Sequence, residues 1–287
     1  MSAILGKVNL GDELAEFSAP VADFGKNGFV VIRNALDPAT VGNLRALCLS
    51  ELKQQNTKIL KDTIVKYPPL RTVLDTPAIV DALHQVLGEK LVVLPPASVD
   101  HNRFGLFHRD TSSAEIVGFN AHRDNAWGAV VLGIYLQDND QYGGGLRVVP
   151  GSHLKDDDFV GLLKKKQEVR SSTDRSPVKR LLKRASGGRL FNWKDPLFED
   201  YPGQINVPTK AGDVMFWDMR IIHRASPQRV EGESVPGGKL ALFYTIVKDN
   251  AVSRSWLSYW NEKVDDMSGL RPAGTVLPTP SANYQYL

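Results

Sequence analysis

The apolar and polar positions of this chain fall into two textures. Up to residue 90 much of the apolar pattern has helical spacing; from Lys90 it breaks into short runs separated by Gly, Pro, Asn and Asp. In the first part, Phe29-Val30-Val31-Ile32 predicts a short strand, and Leu44, Leu47, Cys48 and Leu52 mark one face of a helix. Asp37 is placed to cap that helix and Pro38 to fill its first turn, where a missing N–H is harmless. A second helix is predicted to open at Thr76-Pro77 and close at Gly88, with Ile79, Leu83, Val86 and Leu87 as its apolar face.

In the second part the pattern predicts strands at Leu91–Leu94, Phe104–His108, Ala129–Leu136, Leu146–Val149, Gln204–Val207, Val214–Phe216 and Lys239–Val247. Gly143-Gly144-Gly145 reads as a tight turn before one of them, since neither a Lys-Ser/Thr pair nor a helix signal follows as in a phosphate loop. Many short strands after two helices predict a mainly β protein with flanking helices, its core a sandwich or barrel. With no repeat and no low-complexity linker, one domain over 1–287 is the simplest division. It comprises an N-terminal strand and helices (20–90), a β core (91–250) and an extension (251–287). The aromatic and Pro-rich extension either packs back on the core or makes a homodimer contact.

Charge changes this picture at one place. The stretch 154–190 interrupts the strands and is strongly basic in its later part, from Lys164 to Arg189. It reads as a solvated helical insertion, or as a lid attracting an anionic substrate. A nucleic-acid surface is disfavoured because the aromatic interleaving of a stacking platform is missing and the net charge is only +3. The single cysteine, Cys48, suits a reducing compartment. The N-terminus lacks the basic-then-apolar texture of a secretory signal, and no apolar run reaches the ~18 residues of a membrane span. The expectation is a cytoplasmic protein with no membrane partner.

The chemistry is carried by histidines and aspartates. The triplet His-Arg-Asp occurs twice, as His108-Arg109-Asp110 and His122-Arg123-Asp124, and His223 follows at the end of an apolar run. His-X-Asp with a distant histidine is the ligand set of a mononuclear non-haem iron(II) centre, in which two imidazoles and a carboxylate leave one face of the metal open. Either triplet alone is equally readable as an ion-paired surface turn. The flanks favour the first: His108 ends a strand-like run, and about 20 residues after Asp110 leave room for a loop over the metal. Only Asn125 to Ala129 separate Asp124 from the next strand. His122 and Asp124 remain the alternative pair, either facing substrate or forming a salt-bridged turn. His84, His101 and His153 are not assigned to the metal.

Three segments together, Phe107-His108-Arg109-Asp110, GIYLQDNDQYGGGLRVVPGSH (133–153) and GDVMFWDMRIIHRASP (212–227), resemble the phytanoyl-CoA dioxygenase family, as does GKNGFVVIRNALDPATV (25–41). The resemblance implies a double-stranded β-helix (jelly-roll, cupin-like) core, with iron(II) on His108, Asp110 and His223. It also implies 2-oxoglutarate as co-substrate with O₂, and oxidation of a C–H bond of a small molecule. Family halogenases lack the carboxylate ligand, which Asp110 supplies here.

In the family an arginine near the start of the last core strand binds the distal carboxylate of 2-oxoglutarate. Here Lys239 stands at the matching place, and Arg229 is the alternative. A lysine cannot make the two-pronged contact of a guanidinium, which opens the competing reading of a cupin-like metal-binding protein or isomerase without 2-oxoglutarate turnover. Ser226, Tyr135 and Gln137 are further candidates for the co-substrate pocket, core packing being the alternative for the last two. Ile116, Val117, Phe119 and Trp127 line a pocket for a hydrophobic substrate or cover the core. The substrate itself, anionic or hydrophobic, is not specified by these patterns.

Overall fold

The structure is a computed structural model describing residues 21–155, 157, 159–164, 201–226, 235, 237–263 and 276–286. Most of the basic stretch, and Arg229, lie outside the described residues.

Ten strands carry the fold among the described residues: β1 (Phe29–Ile32), β2 (Ile59–Lys61), β3 (Leu91–His101), β4 (Ala129–Tyr135), β5 (Leu146–Val148), β6 (Ile205–Val207), β7 (Val214–Asp218), β8 (His223–Ala225), β9 (Leu240–Lys248) and β10 (Tyr284–Tyr286). A seven-stranded sheet runs β1-β7-β4-β9-β3-β10, with β2 also paired to β3, and a three-stranded sheet runs β6-β5-β8. The three longer helices are α1 (Pro38–Gln54), α2 (Pro77–Leu87) and α3 (Ala251–Lys263).

Strand alternation decides which side chains reach the site. In β4, Val130, Leu132 and Ile134 turn to one apolar cluster, shared with α1 and α2. Ala129, Val131 and Tyr135 turn to a second, which the small sheet closes with Leu146, Val148 and Val207. Both faces of the large sheet are therefore covered, which is why β4 and β7 read as unbroken apolar runs and are buried throughout. The two facing sheets, with α1 and α2 on the outer face, form a jelly roll.

α1 starts where the sequence places it: Asp37 Oδ1 accepts from the N–H groups of Ala39 and Thr40, both at 2.9 Å, and Pro38 fills the first turn. Its buried face is Val41, Leu44, Cys48 and Leu52. Burial pushes the Cys48 thiol up to about 12, so it is a packing residue.

Two expectations are corrected, and two readings left open meet one of their alternatives. Phe104–His108 is not a strand: β3 already runs to His101, 103–107 is irregular, and His108 makes a single bridge. Of the segment's apolar residues, Leu106 is exposed, Phe104 lies partly exposed against Lys239, and Phe107 joins a small cluster with Val149, Phe159 and Ile222, a mixture that imitates a strand in sequence. The strand at Leu91 is longer than expected because it passes through Pro95-Pro96, where its register with β9 slips between Leu94 and Ala97. Prolines donate no ladder hydrogen bond, so they end a strand in sequence but only interrupt this one. The C-terminal extension packs back: β10 pairs parallel to β3, Tyr284 opposite Leu91. Finally, Phe119 and Trp127 cover the core under α3. Phe119 stacks on Tyr259 at 4.0 Å and Trp127 meets Trp256 edge-on at 5.1 Å.

Candidate metal centre and co-substrate cavity

The segment carrying the first triplet is sewn to the segment that starts β8. His108 and His223 exchange both backbone hydrogen bonds, each 2.9 Å, and Asp110 N–H donates to Met219 O at 2.9 Å. β8 is in turn paired to β5, His223 opposite Val148. The turn Pro150–His153 braces the same place, since Ser152 Oγ accepts from Ile222 N–H at 2.8 Å. The side chains of His108, Asp110 and His223 therefore converge from three backbone anchors rather than from one strand end.

Their ligand atoms lie within 4.8 Å of one another. His108 Nε2 is 3.7 Å from Asp110 Oδ1, His223 Nε2 is 3.7 Å from Asp110 Oδ2, and the imidazole centroids are 4.3 Å apart. Each Nδ1 faces a carbonyl: His108 donates to Leu106 O at 2.7 Å and His223 to Ile221 O at 3.0 Å. A carbonyl can only accept, so both Nδ1 atoms carry the proton and both Nε2 lone pairs face the shared space. Burial pushes the His223 imidazole down to about 4, against the pull of Asp110 and with His108 adding to the fall, so it is neutral near pH 7. Two imidazoles oriented through Nδ1 and one carboxylate are a donor set for a divalent transition metal, and the residues fit iron(II).

These side chains open into a cavity of about 580 Å³. Trp217, Val131, Tyr135, Leu146 and Phe243 give it apolar walls; Ser98, Asp100, Arg103, Thr245 and Lys239 are its polar members. Lys239 is buried, its Nζ donating to Arg103 O at 2.8 Å and lying 4.9 Å from the Phe104 ring and 5.9 Å from the Tyr135 ring. Burial pulls its ammonium down to about 8, with Asp100 opposing and Arg103 adding. A desolvated ammonium facing a cavity favours an anion within it. Gly144, in the left-handed region with φ +80, roofs this lysine: a Cβ there would lie 2.9 Å from Lys239 Cδ. The glycine turn seen in sequence therefore also gives the lysine its slot.

Other candidates are placed differently. Tyr135 lines the cavity, and burial alone raises its phenol. Gln137 is outside the lining and holds the backbone, accepting from Leu240 N–H at 2.8 Å and donating to Asn139 Oδ1 at 2.8 Å. Ser226 is also outside the lining, its N–H donating to Gly145 O at 2.8 Å. The second triplet is not brought to the first. His122 is buried on a 3-10 turn beside Glu115, while Asp124 is exposed and accepts from Ala126 N–H at 2.7 Å. His101, His153 and His84 stand apart from the triad, the first two on carbonyls of Gly237 and Gly25.

Sequence reasoning missed Ser98, Asp100, Arg103, Thr245 and Trp217. For three of them a signal existed: Ser98 and Asp100 on β3, and Thr245 on β9, are polar residues on the inward phase of otherwise apolar strands.

The phytanoyl-CoA dioxygenase family model matches residues 24–232, well over half of the chain. The protein belongs to that family. None of the curated proteins matches it. Among solved structures it is similar to the non-heme alpha ketoglutarate dependent epimerase SnoN from nogalamycin biosynthesis, at 16% identity and TM-score 0.55, over 92% of this chain and 95% of that one. It is also similar to the nickel complex of the non-heme monooxygenase ThoJ (16% identity, TM-score 0.52, 79% and 76% covered). A third is HygX from Streptomyces hygroscopicus with nickel and 2-oxoglutarate bound (13% identity, TM-score 0.51, 80% and 86% covered). At these identities the likeness establishes the jelly-roll fold. Among the described residues no helix is long and apolar enough to cross a membrane.

Proposed function

We propose that this protein is an iron(II)- and 2-oxoglutarate-dependent oxygenase that oxidises an unactivated C–H bond of a small molecule. The observation that carries this reading is the sharing of one cavity by the His108–Asp110–His223 triad and the buried Lys239 ammonium. HygX, with nickel and 2-oxoglutarate bound, and the alpha ketoglutarate dependent SnoN have the same fold and support the choice of co-substrate.

In this reading His108, Asp110 and His223 hold the metal, and their three positions leave room for a chelating 2-oxo acid and O₂. Lys239 takes the distal carboxylate of 2-oxoglutarate as a point charge, in place of the two-pronged contact of an arginine. When bound, iron with 2-oxoglutarate and O₂ supplies an oxidant able to break a C–H bond, the co-substrate leaving as succinate and CO₂. The apolar walls, Phe243 and Leu146 among them, exclude water, and Phe104 and Gly105 lie on the segment that leads into His108. Hydroxylation is the simplest outcome; epimerisation, the reaction in SnoN's description, is the second, on the strength of that fold match.

The test is an anaerobic titration of iron(II) and 2-oxoglutarate, following the visible charge-transfer band of the chelate. The band is expected in the wild type and in His122→Ala, and not in His108→Ala. Its absence from the wild type overturns the proposal and leaves a cupin-like metal protein without 2-oxoglutarate turnover. Its loss in His122→Ala alone moves the metal to the second triplet. Succinate release dependent on both iron and 2-oxoglutarate is the second readout.

A further inference from the structure

We infer that Trp217 is a positioning residue for the metal: its indole N–H occupies one oxygen of Asp110 and thereby keeps that carboxylate a one-point ligand. The inference rests on the reading of His108, Asp110 and His223 as the metal site.

Trp217 sits on β7, with Phe29 of β1 and Val131 of β4 as its register partners. It is 2% exposed. A buried indole N–H needs an acceptor, and here it donates to Asp110 Oδ2 at 3.0 Å. The same ring lies 5.2 Å from the His223 imidazole and 6.2 Å from Phe243, so it touches a carboxylate and an imidazole of the triad together. Its seat is made by a missing atom. A Cβ on Gly133, the neighbouring strand residue, would lie 2.8 Å from Trp217 Cζ3. Gly133 is the residue of β4 whose inward phase is left empty, and the indole fills that notch.

The consequence follows from how carboxylates bind metals. A free carboxylate can offer both oxygens to one ion and so take two positions. A facial site with three protein donors has three positions left, and a chelating 2-oxo acid with O₂ needs all of them. Oδ1 faces His108 Nε2 and Oδ2 faces His223 Nε2, each at 3.7 Å, so it is the indole bond to Oδ2 that distinguishes them and leaves Oδ1 as the freer oxygen for the metal. Hydrogen bonds of this outer kind fix ligand orientation and typically change metal affinity about 10–100-fold when removed.

The test uses Trp217→Phe, which keeps an aromatic ring in the notch and removes the N–H. Cobalt(II) is the probe, read by titration and by its visible d–d absorption. We expect the dissociation constant for cobalt(II) to rise at least about tenfold and the d–d spectrum to change shape, because the carboxylate can now take a second position. Wild-type affinity with a wild-type spectrum overturns the inference. Weaker binding with an unchanged spectrum also overturns it, since packing alone would do that. If the variant does not fold, ¹⁵N-tryptophan labelling of the wild type decides. The indole N–H most affected by cobalt(II) must exchange slowly with solvent in the zinc(II) form; fast exchange overturns the inference. A wild type that binds cobalt(II) but gives no 2-oxoglutarate band removes the proposed function and leaves the role of Trp217 standing. A wild type that binds no cobalt(II) removes both.

Discussion

His122 Nε2 lies 3.7 Å from Glu115 Oε2, and both side chains are buried. The same carboxylate oxygen is 3.9 Å from Arg109 Nη1, the arginine between His108 and Asp110. Thr111 donates its hydroxyl to the other oxygen of Glu115, and Arg109 reaches on to Asp157 at 2.8 Å and Ser152 O at 3.2 Å. The two His-Arg-Asp triplets are thus joined through Glu115: one faces the cavity, the other braces it from behind. Burial is the main force lowering the His122 pKa, Glu115 opposing it, so the ring is neutral near pH 7 and Arg109 is the charged partner of Glu115.

A double dissociation follows. His122→Ala should cost stability, about 1–3 kcal/mol for a buried polar side chain in a packed turn, while leaving cobalt(II) affinity within a few-fold. His108→Ala should abolish tight cobalt(II) binding and change Tm little, because its side chain is 44% exposed. Thermal unfolding and metal titration of both variants check this. The reverse pattern would place the metal on the second triplet.

Glu115→Ala should be the more damaging change behind the site. Among the described residues it leaves the buried Arg109 guanidinium with the half-buried Asp157 as its remaining counter-charge. Removing one partner of a buried pair costs about 3–5 kcal/mol, and Asp157 should hold the loss near the lower end. Denaturant unfolding gives the number; a loss under about 1 kcal/mol would show that Arg109 does not depend on Glu115.

Gly133→Ala tests the notch from the other side. The added methyl would meet Trp217 Cζ3 at 2.8 Å between two hydrogen-bonded strands that cannot part. Overpacking of this kind costs about 1–3 kcal/mol. The expected result is a lower Tm together with a change in tryptophan fluorescence. An unchanged Tm and emission would show that the ring has room to move.

The large sheet and the helices were legible because local signals agreed with the fold. Asp37-Pro38 caps α1, Thr76-Pro77 and Gly88 bound α2, and β4, β7 and β9 are apolar on both phases because both faces are covered. What stayed hidden depends on long-range partners. β8 and β10 are three residues each, too short for periodicity, and exist because β5 and β3 offer them an edge. His108 looked like a strand end since Phe104, Leu106 and Phe107 are apolar, yet the first two are exposed and only Phe107 is buried. The residues of the proposed metal site and Lys239 stood out as candidates from motif and order, and the structure brings them to one cavity. Trp217 did not, because a tryptophan in an apolar run carries no sign that its N–H will meet a carboxylate more than a hundred residues away in sequence.

Tyr284 shows how much the last strand contributes. It is 2% exposed, its hydroxyl donates to Leu74 O at 2.9 Å, and its backbone pairs with β3. Tyr284→Ala should cost about 3–5 kcal/mol, as other buried aromatic truncations do, and should not alter cobalt(II) affinity at temperatures where the protein remains folded. Tyr284→Phe isolates the hydroxyl, and should cost about 1–3 kcal/mol because Leu74 O loses its donor.

With Lys239 as the proposed partner of the distal carboxylate, the binding of 2-oxoglutarate should depend on pH. The lysine ammonium titrates at about 8 in the ligand-free protein, and a carboxylate bound beside it favours the charged form and raises that value. Affinity for 2-oxoglutarate should therefore be flat below about pH 8 and fall by up to about tenfold per pH unit above it, until the pKa of the complex is reached. Measured on protein preloaded with cobalt(II), Lys239→Met should bind weakly at every pH, and the fall should disappear. Lys239→Arg should also flatten the profile, since a guanidinium stays charged, though the slot under Gly144 is closely fitted to a lysine stem. Stability of the ligand-free protein carries the same signature. Between pH 8 and the ordinary lysine value of 10.5 the unfolded chain holds the lysine proton that the folded chain has released. The lysine's contribution to stability therefore rises with pH across that window, and Lys239→Met should remove the rise. A wild-type affinity for 2-oxoglutarate that is level from pH 7 to pH 9.5 would show that another cation, with Arg103 the nearest candidate on the cavity wall, holds the distal carboxylate.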